Sequence, residues 1–146
     1  MQLVGDLPLP RNSRITILGV VPRESQYESR LRAAFVQAER TLGKKGVEIE
    51  CVLLHGHVAK QLIEYGSQTP PDLMVIGAKG LYATLRILLG GVAQQVVQHA
   101  HWPVMVVRPP YHGLRRVLLA ADGSPNSRLA AKYLAQFPCH LMLRSR

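Results

Sequence analysis

The chain is poor in cysteine, in aromatic residues and in acidic side chains, and each shortage narrows what it can be. Two cysteines in 146 residues, Cys51 and Cys139, make no disulfide framework, so a reducing cytoplasm is the expected compartment. Aromatics are 5% of the chain, with five Tyr, two Phe and one Trp. That is too few for the stacking platform on which single-stranded nucleic acid is bound. No apolar run reaches the roughly 18 residues a membrane span needs. Met1 to Arg11 has neither the basic start nor the apolar stretch of a secretory signal. Asp and Glu number 9 against 18 Lys and Arg, a net charge of +9. Such an excess draws phosphates, whether of a nucleotide or of nucleic acid. The basic residues are scattered, however, with short pairs at Lys44-Lys45 and Arg115-Arg116. A solvated basic surface accounts for most of them, and nucleic-acid binding rests on net charge alone.

What is present is a 47% hydrophobic composition over one domain's length, enough to bury a core. Arg14 to Val21 is a β-branched run closed by Pro22, which predicts a strand. Glu24 to Leu42 carries Leu31, Ala34, Phe35, Ala38 and Leu42 at helical spacing and is ended by Gly43 and Gly46. Val47 to Leu54 predicts a second strand, alternating in its first half as near a sheet edge. Val58 to Tyr65 reads as a short helix before the break at Pro70-Pro71. Asp72 to Ile76 reads as a short apolar strand of a sheet centre, and Gly91 to Ala100 as a helix with Val92, Val96, Val97 and Ala100 inward. Pro103 to Val107 is a strand ended by Pro109-Pro110. A last unit remains: strand Arg116–Ala121, turn Asp122-Gly123-Ser124-Pro125, and helix Asn126–Gln136 with Leu129, Ala130, Tyr133 and Leu134 inward. Cys139 to Arg146 has the look of a strand that stops early. Strands alternating with helices argue for an α/β fold with a parallel sheet covered on both faces.

The most informative stretch is Asp72 to Arg108. An apolar strand runs into Gly77-Ala78-Lys79-Gly80, and nine residues later Gly90-Gly91 opens a helix. Glycine allows close backbone approach, and a helix start presents unpaired N–H groups with partial positive charge. Two such elements at the carboxyl ends of parallel strands would cradle phosphates, although glycines there also serve ordinary turns and caps. The Walker A and dinucleotide-binding fingerprints are absent.

Gly77-x2-Gly80-x9-Gly90 followed by a small residue resembles the glycine signature of the ATP-binding branch of the universal stress protein family. Asp72 to Gly80, His101 to Arg108 and Val117 to Ser124 resemble that family as well, the last its opening strand. The resemblance implies a Rossmann-like open parallel sheet of five strands, of the adenine nucleotide alpha hydrolase type, here with its segments in permuted order. It implies an adenine nucleotide as ligand, ATP or else AMP or ADP, with Mg²⁺ admitted beside the phosphates. Asp122 would bond the adenine or its ribose side, with Ala120 and Ala121 lining the base pocket and Val20 packing on the base. Ile76 and Gly77 would contact base and ribose. Gly80, Gly90, Gly91 and Val92 would offer backbone amides to the phosphates, and Lys79 either adds charge there or is a solvated surface lysine. Family members that bind ATP usually carry Ser or Thr where this chain has Gly91. Losing that neutral hydrogen bond costs about 0.5–1.5 kcal/mol, at most a tenfold loss of affinity.

In the family the Val117-type strand comes first, whereas here it comes last. The arrangement resembles a tandem stress protein cut so that most of one domain, 1–110, is joined to the start of the next, 111–146. The seven residues Pro109–Arg115 span at most about 25 Å, barely enough to return to the far end of the same sheet. The expectation is therefore a homodimer that exchanges its last strand and helix. The expected function is nucleotide binding in a stress-response or signalling role, with no enzymatic turnover beyond slow ATP hydrolysis. The alternative is a dimerisation module of the same family without a nucleotide.

His55-x-His57 and His99-x-His101 lack a cysteine or carboxylate at metal-site spacing, so no metal is expected. Ser124 and Ser127 have no histidine placed to activate them. Cys51 lies in an apolar run and reads as a core residue rather than a nucleophile.

Overall fold

The computed structural model describes residues 7, 9–10, 12–22, 26–43, 46–78, 90–108, 110 and 116–137. The chain begins with a β–α–β unit. Strand β1 (Arg14–Val21) pairs in parallel with β2 (Glu48–His55), in register from Arg14↔Glu48 to Val21↔His55. Between them helix α1 (Glu28–Leu42) packs on both strands through Phe35, Ala38 and Leu42, all buried. Those three residues share one face at 3–4-residue spacing. Leu31, on the same face, is half-buried, while Ala34, expected inward, is exposed because it lies at that face's edge. The described helix starts at Glu28, where the first-turn carboxylate suits the helix dipole and is held by Arg32 Nε (3.0 Å) and Nη2 (2.7 Å).

Helix α2 (Val58–Gln68) runs three residues beyond the expected end at Tyr65, stopping just before Pro70. It packs on β1 and β2 and against α3 (Gly91–His99). Strand β3 (Met74–Gly77) pairs in parallel with β4 (Val104–Val107), Met74↔Val104 through Gly77↔Val107. Trp102, just before β4, is buried against Gly66 of α2. On α3 the buried residues are Ala93 and Val96; Val97, expected inward, is 46% exposed. Helix α4 (Pro125–Gln136) closes the described chain. No helix among the described residues is long and apolar enough to cross a membrane.

Three expectations are not met within the single chain, among the described residues. The described residues form two two-stranded parallel sheets, β1–β2 and β3–β4, in place of a single sheet of five strands. Arg116–Ala121 makes no strand: it is unpaired and exposed, with Leu118 at 93%, because no strand edge lies beside it to complete a ladder. On α4 no residue is buried, and Leu129 is 64% exposed, since the helix has no sheet beneath its apolar side. The same shortage shows in the strands. Met74, Val75 and Ile76, expected at a buried sheet centre, are only half-buried. The linker Pro109–Arg115, apart from Pro110, and the segment Cys139–Arg146 lie outside the described residues.

Candidate functional site

Two short backbone bonds bring the end of β3 to the start of α3. Buried Ala78 donates its N–H to the Val107 carbonyl at 2.7 Å, and its own carbonyl accepts the Gly90 N–H at 2.7 Å. The chain therefore leaves the sheet at Ala78 and returns beside it at Gly90. Gly90 is the N-cap of α3 and has no side chain to cap the helix. The first ladder bond of α3 runs from Gln94 N–H to the Gly90 carbonyl at 3.0 Å. The N–H groups of Gly91, Val92 and Ala93 thus precede the ladder, where the positive end of the helix dipole is concentrated. Gly91 is exposed, and a Cβ built on it meets nothing within 4 Å. A helix start with no capping side chain and with open space at Gly91 suits an anionic group. Gly90 departs from its expected role: its N–H is taken by Ala78, so it closes the base of the loop. Lys79 and Gly80 lie outside the described residues.

The second element is the turn into α4. Asp122 Oδ1 accepts the Ser124 N–H at 2.9 Å, and Gly123 turns the chain at φ +80°, a conformation that favours glycine. Ser124 is the N-cap of α4: its Oγ accepts the Ser127 N–H at 3.2 Å, and the Ser127 hydroxyl donates back to the Ser124 carbonyl at 3.0 Å. Pro125 occupies the first turn, where its missing N–H is not needed. The Ser124 hydroxyl and N–H, followed by the Ser127 hydroxyl, lower the pKa of Asp122 to about 2. The carboxylate is thus ionised at any physiological pH and acts only as an acceptor. Ala120, Ala121 and Asp122 line one open pocket together with Ser124, Asn126 and Ser127. Asn126 was not anticipated, although its place directly after an N-cap Ser-Pro is legible in the sequence.

The expected residues therefore fall into separate groups. Gly77, Gly90, Gly91 and Val92 gather where β3 meets α3, with half-buried Ile76 on β3 opposite Val106. Val20, half-buried, is the last but one residue of β1, opposite Leu54. The pocket at Asp122 is lined by none of these among the described residues.

Three of the histidines take structural roles. His55 Nε2 lies 3.3 Å from Glu28 Oε2, His57 Nδ1 accepts the Lys60 N–H at the start of α2, and His99 Nδ1 donates to the Gln95 carbonyl at 2.8 Å. Among the described residues no three His, Cys, Asp or Glu side chains gather to hold a metal. Cys51 is half-buried, its thiol pKa pushed up by burial and then by Glu39, which leaves it a poor nucleophile.

The profile of the universal stress protein family matches residues 6–108. The universal stress protein MJ0531 of Methanocaldococcus jannaschii is 42% identical over 65 residues, covering 44% of this chain and 38% of that protein. The universal stress protein Rv1996 of Mycobacterium tuberculosis is 34% identical over 104 residues, 66% of this chain and 31% of the relative. The chain thus spans about a third of the length of these curated relatives. Among solved structures, the universal stress protein UspA from Lactobacillus plantarum superposes with a TM-score of 0.59 at 22% identity, over 65% of this chain and 77% of that one. The hypothetical protein MJ0577 gives 0.58 at 18% identity, over 72% of this chain and 82% of its own. Both likenesses establish the α/β fold.

Proposed function

The chain belongs to the universal stress protein family, and we propose that it binds an adenine nucleotide, ATP or AMP, as a stress-response or signalling module without appreciable turnover. The supporting observation is the bare N-terminus of α3: three N–H groups ahead of the helical ladder, no capping side chain, and open space at Gly91. This end suits phosphates, and the always-ionised Asp122, an acceptor only, suits the opposite end of the ligand. A carboxylate repels phosphate but accepts hydrogen bonds from ribose hydroxyls or from the exocyclic amine of adenine. Ala120 and Ala121 beside it offer an apolar wall for a base. The bound nucleotide supplies the phosphate charge on which any effect of Mg²⁺ depends; the chain's own contribution is to hold and orient it.

The test is to denature the purified protein and identify released nucleotide by chromatography and mass. Near-stoichiometric ATP or AMP is expected, and Asp122→Ala should come out empty. A protein that is empty and ignores millimolar ATP overturns the reading. In that case the rival, a dimerisation module of the family without nucleotide, takes its place; Gly91, with no hydroxyl to offer a phosphate, is the residue that favours it.

A further inference from the structure

We propose that the nucleotide site is completed in trans: the segment Val117–Asp122 of a second copy enters the gap between β1 and β3, carrying its Asp122 to this chain's α3. The choice of ligand rests on the nucleotide reading above, but the exchange itself rests on the fold. The gap is placed by α2, which follows β2, packs on β1 as well as β2, and meets α3, whose start is tied to Ala78 at the end of β3. Among the described residues β1 pairs only with β2 and β3 only with β4, so β1 and β3 each keep an unpaired edge and no strand joins the two sheets. Buried parallel strands are covered on both sides, yet most of β1, all of β4 and the apolar part of β3 are only half-buried.

The chain also carries the missing strand, outside its own sheet. Val117, Leu118 and Leu119 are 45%, 93% and 42% exposed, and their backbone is unpaired. Open strand edges with an apolar, β-competent segment lying free is the combination that pairs between chains. Helix α4, which would follow the strand, is tied to its own chain by a long hydrogen bond, Tyr133 O–H to the Asp72 carbonyl at 3.3 Å, and buries no residue. Self-insertion would have to recross the sheet within the short link after Val107, whereas a second copy meets no such constraint.

The experiment is light scattering of the full chain together with amide exchange at 118–121. A mass of two chains with slowed exchange at these amides is expected. Leu119→Pro removes a ladder donor from a segment that is unpaired in the single chain, and should halve the mass and release the protection. Leu118→Glu, harmless at 93% exposure but buried once the strand is inserted, should do the same. Far-UV dichroism of both variants should retain the helices. A monomer, protected or not, overturns the proposal; so does a dimer whose mass both variants leave unchanged. Neither readout needs bound nucleotide. An empty exchanged dimer therefore refutes the nucleotide reading alone, and a nucleotide-loaded monomer refutes the exchange alone.

Discussion

Replacing Gly91 by Ser should tighten nucleotide binding, and the structure sets both the direction and the size. Gly91 is the first residue of α3, is exposed, and has no neighbour within 4 Å of a built Cβ. Its φ is not left-handed, so no strain opposes a side chain. A serine hydroxyl there stands beside the free N–H groups of the first turn and adds one donor toward a phosphate. One hydrogen bond contributes about 0.5–1.5 kcal/mol, roughly two- to tenfold in Kd. Serine also exceeds glycine in helix propensity by about 0.5 kcal/mol, which stabilises the protein with or without ligand. The assay must therefore read affinity by calorimetry, with Gly91→Ala as control: alanine supplies the propensity but no hydroxyl. The expectation is a lower Kd for Ser and an unchanged one for Ala, both with intact helical dichroism. Equal Kd values for the two variants, or weaker binding by Ser, would refute the placement of phosphate at the start of α3.

Three further outcomes follow from local geometry. Asp122 has its pKa lowered from 3.8 to about 2 by Ser124 and Ser127, so its stabilisation of the α4 start is complete above pH ~3.8 and lost as pH falls through about 2; the Ser124 amide resonance, followed by NMR, should titrate in that window, and a midpoint near 4 would contradict it. Gly66→Ala should destabilise the protein, because the new Cβ overlaps the Trp102 ring: overpacking of up to about 3 kcal/mol outweighs a helix-propensity gain of about 1 kcal/mol, for a net loss of up to about 2 kcal/mol in denaturant unfolding. Trp102→Phe should relieve that clash at no cost in hydrogen bonding, since the indole N–H is buried without an acceptor among the described residues; no coupling between the two sites in a double-mutant cycle would refute the contact.

Local chemistry made most of the elements legible. The β-branched run 14–21 became a strand with the bounds its composition implies, because Pro22 and the charged start leave no other choice. Phe35, Ala38 and Leu42 were readable as a buried face, since helical spacing alone decides which side chains align. Helix α2 outran its expected end at Tyr65, and Gly66, which the extra turn includes, has no side chain and lies against the Trp102 ring, a fit that spacing alone does not record. At the site, the glycines around β3 and α3 were found by spacing, yet that Gly90 gives its N–H to Ala78 depends on where β4 places Ala78. Spacing records which backbone can come close, not which donor is left free.

Arg116–Ala121 marks the limit most clearly. Its residues suit a strand as well as those of β3 do, and β3 is a strand while 116–121 is not. The difference is the edge: Met74–Gly77 finds Val104–Val107 alongside, and Val117–Ala121 finds nothing. Strand propensity reports fitness for a pleated, half-covered surface, and the ladder needs a second chain segment to be realised. The missing burial elsewhere carries the same information. Leu129 and Val97 stand exposed on helices whose patterning calls for a sheet, and the strands of both sheets are only half-covered. Of these deficits, those of β1, β3 and α4 would be answered together by one inserted strand with its following helix. Independent defects would each require a separate cause, and scattered substitutions such as Leu118→Glu, Val97→Glu and Leu129→Glu would then change solution mass independently or not at all.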